Sequence, residues 1–238
     1  MPSPDLAALS RRIAALEGRG NDGRGPVLPL DLDGFDGLTT GTLHEIAPAS
    51  AADHHDGAAL GFSAALLGGL ARLAGKPVLW LAEGGPPHAP GLAAFGLGPE
   101  RLVVALPGRP KAALWVLEEA ARSTALAAVL GEVRDMDFTA ARRLQLAAGQ
   151  SGTTLLLLNR SAAAVAPALT RWRVGGIAGA DHRWRLDLVR CRGRSPDERG
   201  VVANWEVEWD GTAHRLGLAA PAGHRPPVPV HAGAEARV

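Results

Sequence analysis

Short apolar segments alternate with longer helical patterns through the middle of the chain. The apolar segments, which have the composition of buried strands, lie at residues 42–47, 77–82, 102–106, 127–131 and 154–158. Helical patterns separate them at residues 58–74, 90–97, 111–123 and 139–148. Continuous apolar strands separated by helices are typical of a mostly parallel sheet that helices cover on both faces. The pattern therefore predicts a doubly wound α/β core that begins near Val27.

The pattern changes after Pro167 to a near-regular alternation of apolar and polar residues. RWRLDLVR at 183–190 and NWEVEW at 204–209 are each predicted to form a half-buried strand with one face toward water. A polar turn, CRGRSPDERG, lies between them, and HRLGLAA from His214 predicts a further strand. We expect a C-terminal antiparallel β ribbon over about residues 181–218.

The charges of this ribbon are complementary across the two strands. Arg183 and Arg185 alternate with the apolar positions of the first strand, and Glu206 and Glu208 do so in the second. In an antiparallel pair these side chains would face each other, and each such pair contributes a few tenths to about 1 kcal/mol. The same alternation predicts that Trp184 points inward.

Two flanking segments differ in composition from the core. Residues 5–17 carry apolar side chains at three- and four-residue spacing, which predicts a short amphipathic helix with the apolar positions Leu6, Leu9, Ile13 and Leu16. Glycine, proline, asparagine and aspartate follow, typical of a flexible linker. We expect an N-terminal helix and linker over 1–26, a folded core over 27–220 and a disordered tail over 221–238.

Composition excludes several classes of partner and compartment. The 238 residues carry a formal net charge of +1, so no global field attracts nucleic acid or anionic lipid. One cysteine, Cys191, cannot form a disulfide within the chain, and the N-terminus lacks the apolar region of a secretory signal. No segment approaches the roughly 20 apolar residues of a membrane span. We expect a cytoplasmic protein without membrane contact.

The loop between the first predicted strand and the 58–74 helix stands where a phosphate-binding loop would lie. Such loops converge backbone N–H groups on phosphate and add a lysine and a hydroxyl for charge and magnesium. This loop has no lysine and instead carries Asp53, His54, His55, Asp56 and Gly57. Adjacent histidines diverge, which disfavours a metal site, the alternative for this segment. We expect a solvated loop in which an aspartate caps the helix.

Two glutamates follow predicted strands and are candidates for acid or base chemistry. Glu83 comes after PVLWLA and Glu132 after AAVLG. Carboxylates at the carboxyl ends of parallel strands commonly act in α/β enzymes, although a solvated glutamate is the alternative for both. No partner for Glu132 and no Ser-His-Asp set is evident. The residues alone leave a catalytic role open.

Arginines interleaved with aromatic residues lie between Thr170 and Arg194. Such a pattern can track a nucleic-acid backbone and stack on bases, so single-stranded DNA is a candidate ligand. Inward tryptophans and arginine–glutamate pairs would instead make a structural ribbon with a protein-binding edge, and we favour this interpretation. The candidate partner or DNA contacts are Arg171, Trp172, Arg173, Arg190, Arg192 and Arg194.

The order of these segments resembles the RecA-type recombinases and, more closely, the ImuA family of RecA-related accessory proteins of bacterial damage-inducible mutagenesis cassettes. The resemblance covers about residues 30–220. It rests on GTLHEIAP, PVLWLAE, GLGPERLVVALP, ALWVLEEAARSTALAAVLGEV, LQLAAGQSGTTLLLLN and ALTRWRV followed by RWRLDLVRCRG and WEVEWDGTAHRLGL. The resemblance implies a RecA-like fold of the P-loop NTPase type.

Compared with RecA, the resemblance also implies that the ATPase machinery is lost. Glu83 would occupy the place of the catalytic glutamate, as a relic. The Asp53–Asp56 loop replaces the Walker A lysine and hydroxyl, the Walker B aspartate position falls near Gly131, and the sensor glutamine position is Arg160. Phosphoryl transfer depends on positioning and charge stabilisation, so we expect no ATP hydrolysis, no cofactor and no metal.

The function that the resemblance implies is a non-catalytic adaptor of translesion DNA synthesis in the SOS response. The implied partners are an ImuB-like Y-family protein, an error-prone DNA polymerase subunit and RecA, with DNA contacted indirectly. The apolar positions Leu6 to Leu16 mark a candidate recruiting helix, and a helix that only packs on the core is the alternative. Two alternatives stay open: a weak ATP-dependent DNA-binding relative of the recombinases, and a SulA-like inhibitor of cell division that binds FtsZ.

Overall fold

The computed structural model of the protein describes residues 26–50, 57–134, 136–160, 167–178 and 181–219. Its strands are β1 (Val27–Leu28), β2 (Leu38–Thr39), β3 (Leu43–Pro48), β4 (Val78–Leu81), β5 (Leu102–Ala105), β6 (Ala128–Val133), β7 (Thr154–Asn159), β8 (Thr170–Gly176), β9 (Arg183–Cys191), β10 (Ala203–Asp210) and β11 (Arg215–Leu218). Its helices are α1 (Ala58–Ala74), α2 (Ala89–Ala93), α3 (Pro110–Arg122) and α4 (Phe138–Ser151), with a 3₁₀ turn at Pro99–Arg101.

Nine of these strands form one sheet in the order β11-β10-β9-β8-β3-β7-β6-β4-β5. The six strands from β8 to β5 are parallel, and β9, β10 and β11 add to β8 in antiparallel fashion. The predicted α/β class, with a mostly parallel sheet flanked by helices and a C-terminal antiparallel ribbon, is confirmed. A short hairpin of β1 and β2 stands apart from this sheet.

Strand β8 joins the two parts of the sheet, and no strand was predicted there. It lies parallel to β3 on one side and antiparallel to β9 on the other. The ribbon is therefore a continuation of the main sheet and shares its core. Within β9 to β11 the predicted third strand is present, and β10 and β11 are connected through residues 211–214.

The helices cover the two faces of the sheet unequally. We call the face that packs on α1 the first face, and the face that packs on α3 and α4 the second face. Helix α1 contacts β3, β6, β7 and β8. Within the described residues, the strands that helices α3 and α4 mainly contact are the parallel strands β3, β4, β6 and β7. The second face of β9 and β10 consequently lies open to solvent, with alternate residues exposed.

Helix α1 begins at a glycine and not at an aspartate. Its N-cap is Gly57, in the left-handed region at φ 75°, and no side chain caps the helix there. The prediction of an aspartate cap is wrong for this helix, because the left-handed turn favours glycine at that position. The predicted kind of cap occurs instead at α4, where the carboxylate of Asp137 accepts from the N–H of Ala140 at 2.8 Å.

The core of the first face is rich in aromatic side chains. Five of the six tryptophans of the chain lie in it: Trp80, Trp172, Trp184, Trp205 and Trp209. The ring of Phe62 on α1 lies 5.8 Å from that of Trp172 and 6.1 Å from that of Trp184. The second face under α3 and α4 is packed instead with leucine, valine and alanine. Aromatic packing thus attaches the antiparallel strands to α1.

Three sequence predictions concern residues outside the described ranges. These are the amphipathic helix with Leu6, Leu9, Ile13 and Leu16, the loop residues Asp53, His54, His55 and Asp56, and the tail over 221–238. The division into 1–26, 27–220 and 221–238 stays a prediction. None of the helices in the described ranges has the length and apolar character needed to cross a membrane.

Candidate functional site

Three parallel strands, β4, β6 and β7, bring polar residues to the edge of the sheet formed by their carboxyl ends. β3, β4, β6 and β7 are parallel neighbours or near neighbours, so their carboxyl ends lie together. Glu83 follows β4, Glu132 is the penultimate residue of β6, and Asn159 ends β7 before Arg160. Ligand sites of open α/β sheets lie at this edge, so it is the first candidate site.

The carboxylates of this edge are engaged by side chains of the protein. Glu83 Oε2 lies 2.8 Å from Arg134 Nε in a half-exposed ion pair. Glu132 Oε1 accepts from Trp80 Nε1 at 3.0 Å, and its Oε2 lies 3.8 Å from an Arg160 nitrogen. No partner for Glu132 is evident from the sequence, and the structure supplies two. An acid–base role would require that a ligand displace these contacts.

The predicted phosphate-binding loop is described up to Ser50 and again from Gly57. An apolar cavity of about 650 Å³ lies beside the first turns of α1. Its described lining includes Ala58, Gly61, Trp80, Phe95 and Trp184, and its polar side chains are His88, Asp181, His182 and a single arginine, Arg183. Polyphosphate needs converging N–H donors and cations, and this lining is mainly aliphatic and aromatic. Within the described ranges no group of three or more histidine, cysteine or carboxylate side chains could hold a metal ion.

A buried carboxylate lies where the parallel strands meet β8. Glu45 on β3 is fully buried and accepts from Asn159 Nδ2 at 2.7 Å. Arg171, its direct neighbour on β8, has Nε 3.5 Å from Glu45 Oε2. A buried charge is stable only when it is paired and hydrogen-bonded, and these two residues provide that. Glu45 is not among the residues predicted from the sequence, although a glutamate inside the apolar segment LHEIAP is a signal of a buried charge.

A hydrogen-bonded chain lies on the opposite face of the same strands. His44 Nε2 lies 2.8 Å from the carbonyl of Thr39, which can only accept, so Nε2 carries the proton. His44 Nδ1 therefore accepts from the Thr170 hydroxyl at 2.7 Å, and Thr170 Oγ1 in turn accepts from Trp172 Nε1 at 2.8 Å. Complete burial lowers the pKa of His44 to about 4. These hydrogen bonds therefore hold a neutral histidine in the core.

Four of the candidate arginines line one cavity on the second face of the sheet. We call this cavity, of about 320 Å³, the arginine groove. Strands β8 and β9 and the loop between β9 and β10 form it, and its lining comprises Arg171, Arg173, Val189, Arg190, Arg194, Pro196, Gly200 and Val202. The sequence grouped these arginines by position alone, and the structure places them around a common space.

Two of the predicted contact residues lie elsewhere. Trp172 is completely buried on the first face, with its ring 5.2 Å from that of Phe35, so it cannot stack on a base. This part of the prediction is wrong, because alternation along β8 turns Trp172 away from the arginines. Arg192 lines a different cavity, near Phe35 and Thr39, and its Nη2 lies 3.5 Å from the carbonyl of Pro167.

The predicted charge complementarity of the ribbon is present. Glu206 is directly opposite Arg185, and Glu208 is directly opposite Arg183. Arg183 Nη2 and Glu208 Oε2 are 2.9 Å apart. Trp184 lies inward as predicted, 4% exposed. The open face of β9 and β10 therefore carries both signs of charge.

Comparison with known proteins agrees with this architecture. No protein-family model matches the chain. The chain is 32% identical over 180 residues to Protein ImuA of two strains of Caulobacter vibrioides, an alignment that covers 67% of this chain and 74% of each relative. The structure resembles that of the RadB recombinase with a TM-score of 0.52 at 12% identity, over 78% of this chain and 94% of that chain.

The structural likeness supports a conclusion about the fold, and the sequence likeness supports a conclusion about the family. The likeness to the RadB recombinase concerns the fold alone, and it agrees with a RecA-like sheet. The likeness to the Caulobacter proteins extends along most of both chains at a level of identity that establishes common descent. The protein is a member of the ImuA family.

Proposed function

We propose that this protein is a non-catalytic, RecA-like adaptor in damage-induced translesion DNA synthesis. Membership of the ImuA family supports a role in the damage-inducible mutagenesis cassette, and it favours that role over the inhibition of cell division. The adaptor role is more specific than membership of the cassette, and it is the part that we propose. It assigns the protein to the cytoplasm, where it would join other proteins of the cassette.

The observation that carries the non-catalytic part is the pairing of the edge carboxylates. Glu83 lies in an ion pair with Arg134, and Glu132 contacts Trp80 and Arg160. In phosphoryl transfer, cations at such an edge stabilise the charge of the phosphates. Here two arginines neutralise carboxylates of the protein, and residues 49–57 contain no lysine. This arrangement supports a sheet edge that does not bind a nucleotide.

The partners we propose are an ImuB-like Y-family protein, an error-prone DNA polymerase subunit and RecA. Two parts of the chain are candidates for contacting them. One is the apolar stripe of the N-terminal segment, Leu6, Leu9, Ile13 and Leu16, and the other is the arginine groove. Both offer a side-chain pattern suited to protein partners, and contact with DNA would then pass through those partners.

Co-purification of the full chain with each partner tests the adaptor role. We expect the chain to retain the ImuB-like protein, and we expect Leu9→Asp with Ile13→Asp to weaken retention if the stripe recruits it. Ser10→Asp, which lies off the stripe, is the matched control. Retention of none of the three partners would overturn the adaptor proposal.

Nucleotide measurements test the non-catalytic part separately. We expect no ATP binding at millimolar concentration with magnesium, with or without single-stranded DNA. Glu83→Gln should then leave the chain unchanged in this assay. Turnover that is lost in Glu83→Gln would instead support the alternative of an ATP-dependent recombinase relative, and would show that a different phosphate site exists.

A further inference from the structure

The arginine groove contains an arrangement that folding alone does not favour. Arg171 on β8 is directly opposite Arg190 on β9, and like charges in that position destabilise a sheet. Buried Glu45 offsets part of the charge of Arg171 from within the sheet. Arg190, Arg173 and Arg194 are exposed around the same cavity. The groove thus concentrates the positive charge of two strands and a loop at one point of the sheet, with Arg194 Nη1 donating to the carbonyl of Gly34 at 3.0 Å.

A β-bulge lies at the same place. The pairing of β8 with β9 shifts between Arg171 and Trp172, so that Arg190 pairs with Arg171 while Leu188 pairs with Trp172. Val189 is the extra residue, and it lines the groove. Bulges often re-aim side chains near functional sites. This bulge puts a half-buried aliphatic side chain between the arginines.

The loop between β9 and β10 closes one side of the groove with an ordered turn. The carboxylate of Asp197 accepts from the N–H groups of Arg199 and Val201, each at 3.0 Å, and from Arg199 Nε at 2.9 Å. These hydrogen bonds lower the pKa of Asp197. The Asp197 carboxylate is therefore held by its own loop, and Pro196, Gly200 and Val202 form a mainly apolar wall.

The residues around the groove favour a short anion over a nucleic-acid strand. Toward β10 the same face exposes Glu206 and Glu208, and Asp187 is directly opposite Arg173. A nucleic-acid strand that crossed this face would meet those carboxylates. The aromatic side chains of β8 to β10 lie on the first face, which leaves none on this face to stack on bases. A short anion with apolar parts fits better than a continuous polyanion.

We propose that the arginine groove binds a short acidic peptide segment of a partner protein. Its carboxylates accept hydrogen bonds from Arg173, Arg190 and Arg194, and an aliphatic side chain packs on Val189 and Val202. Arginine suits this task because its planar guanidinium pairs with carboxylates through two parallel hydrogen bonds. This inference rests on the proposed adaptor function and names the partner chemistry of one of its surfaces.

Fluorescence anisotropy with a labelled hexapeptide, Asp-Glu-Leu-Asp-Asp-Glu, tests the groove in the full-length chain. We expect saturable binding that weakens with ionic strength and that is lost for Asn-Gln-Leu-Asn-Asn-Gln. Replacement of leucine by serine in the peptide should weaken binding as well. Arg190→Ser and Arg173→Ser should each weaken binding about tenfold, the effect of losing one charge-assisted hydrogen bond.

Arg185→Ser is the matched control, because Arg185 is exposed on the same face of β9 and does not line the groove. It should leave the affinity unchanged, and urea unfolding checks that all three variants fold. Equal losses in Arg185→Ser and Arg190→Ser would overturn the proposal, since they would indicate unspecific attraction. Tighter binding of labelled oligothymidine that depends on Arg190 would overturn it in favour of a nucleic-acid surface.

Co-purification separates the failure of this inference from the failure of the proposed function. If the wild-type chain retains its protein partners and binds no acidic peptide, the groove proposal fails and the adaptor function stands. If the chain retains none of those partners, the adaptor function fails. Peptide binding that depends on Arg190 would still support the groove in that case.

Discussion

The two halves of the nine-stranded sheet use its second face in opposite ways. Under α3 and α4 the parallel strands bury leucine, valine and alanine. On β9 and β10 the same face exposes Arg185, Arg190, Glu206 and Glu208. The first face shows no such contrast, because the aromatic core continues across β8 to β10.

This difference shows how an added antiparallel segment can be stable while one of its faces stays open. An antiparallel sheet tolerates water on one face when the other is packed. Trp172, Trp184 and Trp205 provide that packing, and each is at most 8% exposed. The open face is then free to carry charge, whereas the parallel half has both faces filled.

Removal of a tryptophan from the first face should cause the largest loss of stability. Trp172→Ala should lower the free energy of unfolding by about 3–5 kcal/mol, the usual cost of deleting a buried aromatic side chain. Trp115→Ala, on α3 with 64% of the residue exposed, is the control and should change it by less than about 0.5 kcal/mol. Urea unfolding measures both. Similar small losses would contradict the view that aromatic packing attaches the antiparallel half.

The junction between the halves depends on the buried carboxylate of Glu45. Glu45→Leu removes the acceptor of the Asn159 Nδ2 hydrogen bond and the ionic partner of Arg171, and it should destabilise the fold by about 3–5 kcal/mol. Adding Arg171→Leu should recover at least about 1 kcal/mol, because the uncompensated charge is removed. A double-mutant cycle in urea measures this coupling. Additive losses would show that the two side chains do not act as a pair.

Local periodicity was sufficient to predict most of this architecture. The helix predicted over 58–74 has those bounds in the structure, and the strand predicted over 154–158 is observed as Thr154–Asn159. The parallel strands are buried on both faces of the sheet, so each of them appears in the sequence as a continuous apolar run. The inward direction of Trp184 followed from the same kind of pattern.

The candidate sites depended on contacts that sequence spacing does not report. Glu45 is stabilised by Asn159, which is 114 residues away in the chain. The arginines of the groove come from two strands and a loop, and only the register of β8 with β9 brings them together. The inward direction of Trp172 could have been predicted, because Thr170, Trp172 and Val174 alternate with arginine and glycine.

The neutral histidine at the junction predicts an acid-sensitive stability. The pKa of His44 is about 4 in the folded chain and near 6.5 when unfolded, so protons bind preferentially to the unfolded state. The contribution of neutral His44 to the free energy of unfolding is complete above about pH 6.5. It is lost as the pH falls toward 4, by about 3 kcal/mol in total. His44→Gln should remove this part of the pH dependence. Parallel pH profiles of the variant and the wild type in urea would contradict the assignment.

The smallest effect is expected on the open face. Arg183→Ser removes an ion pair with Glu208, whose side chain is 52% exposed, and should cost less than about 1 kcal/mol. Added salt should reduce this difference, because ions screen exposed charges and leave the aromatic packing of β9 intact. Urea unfolding at low and high salt measures it. A loss as large as that of Trp172→Ala would mean that charge pairing, and not the first face, holds the antiparallel half in place.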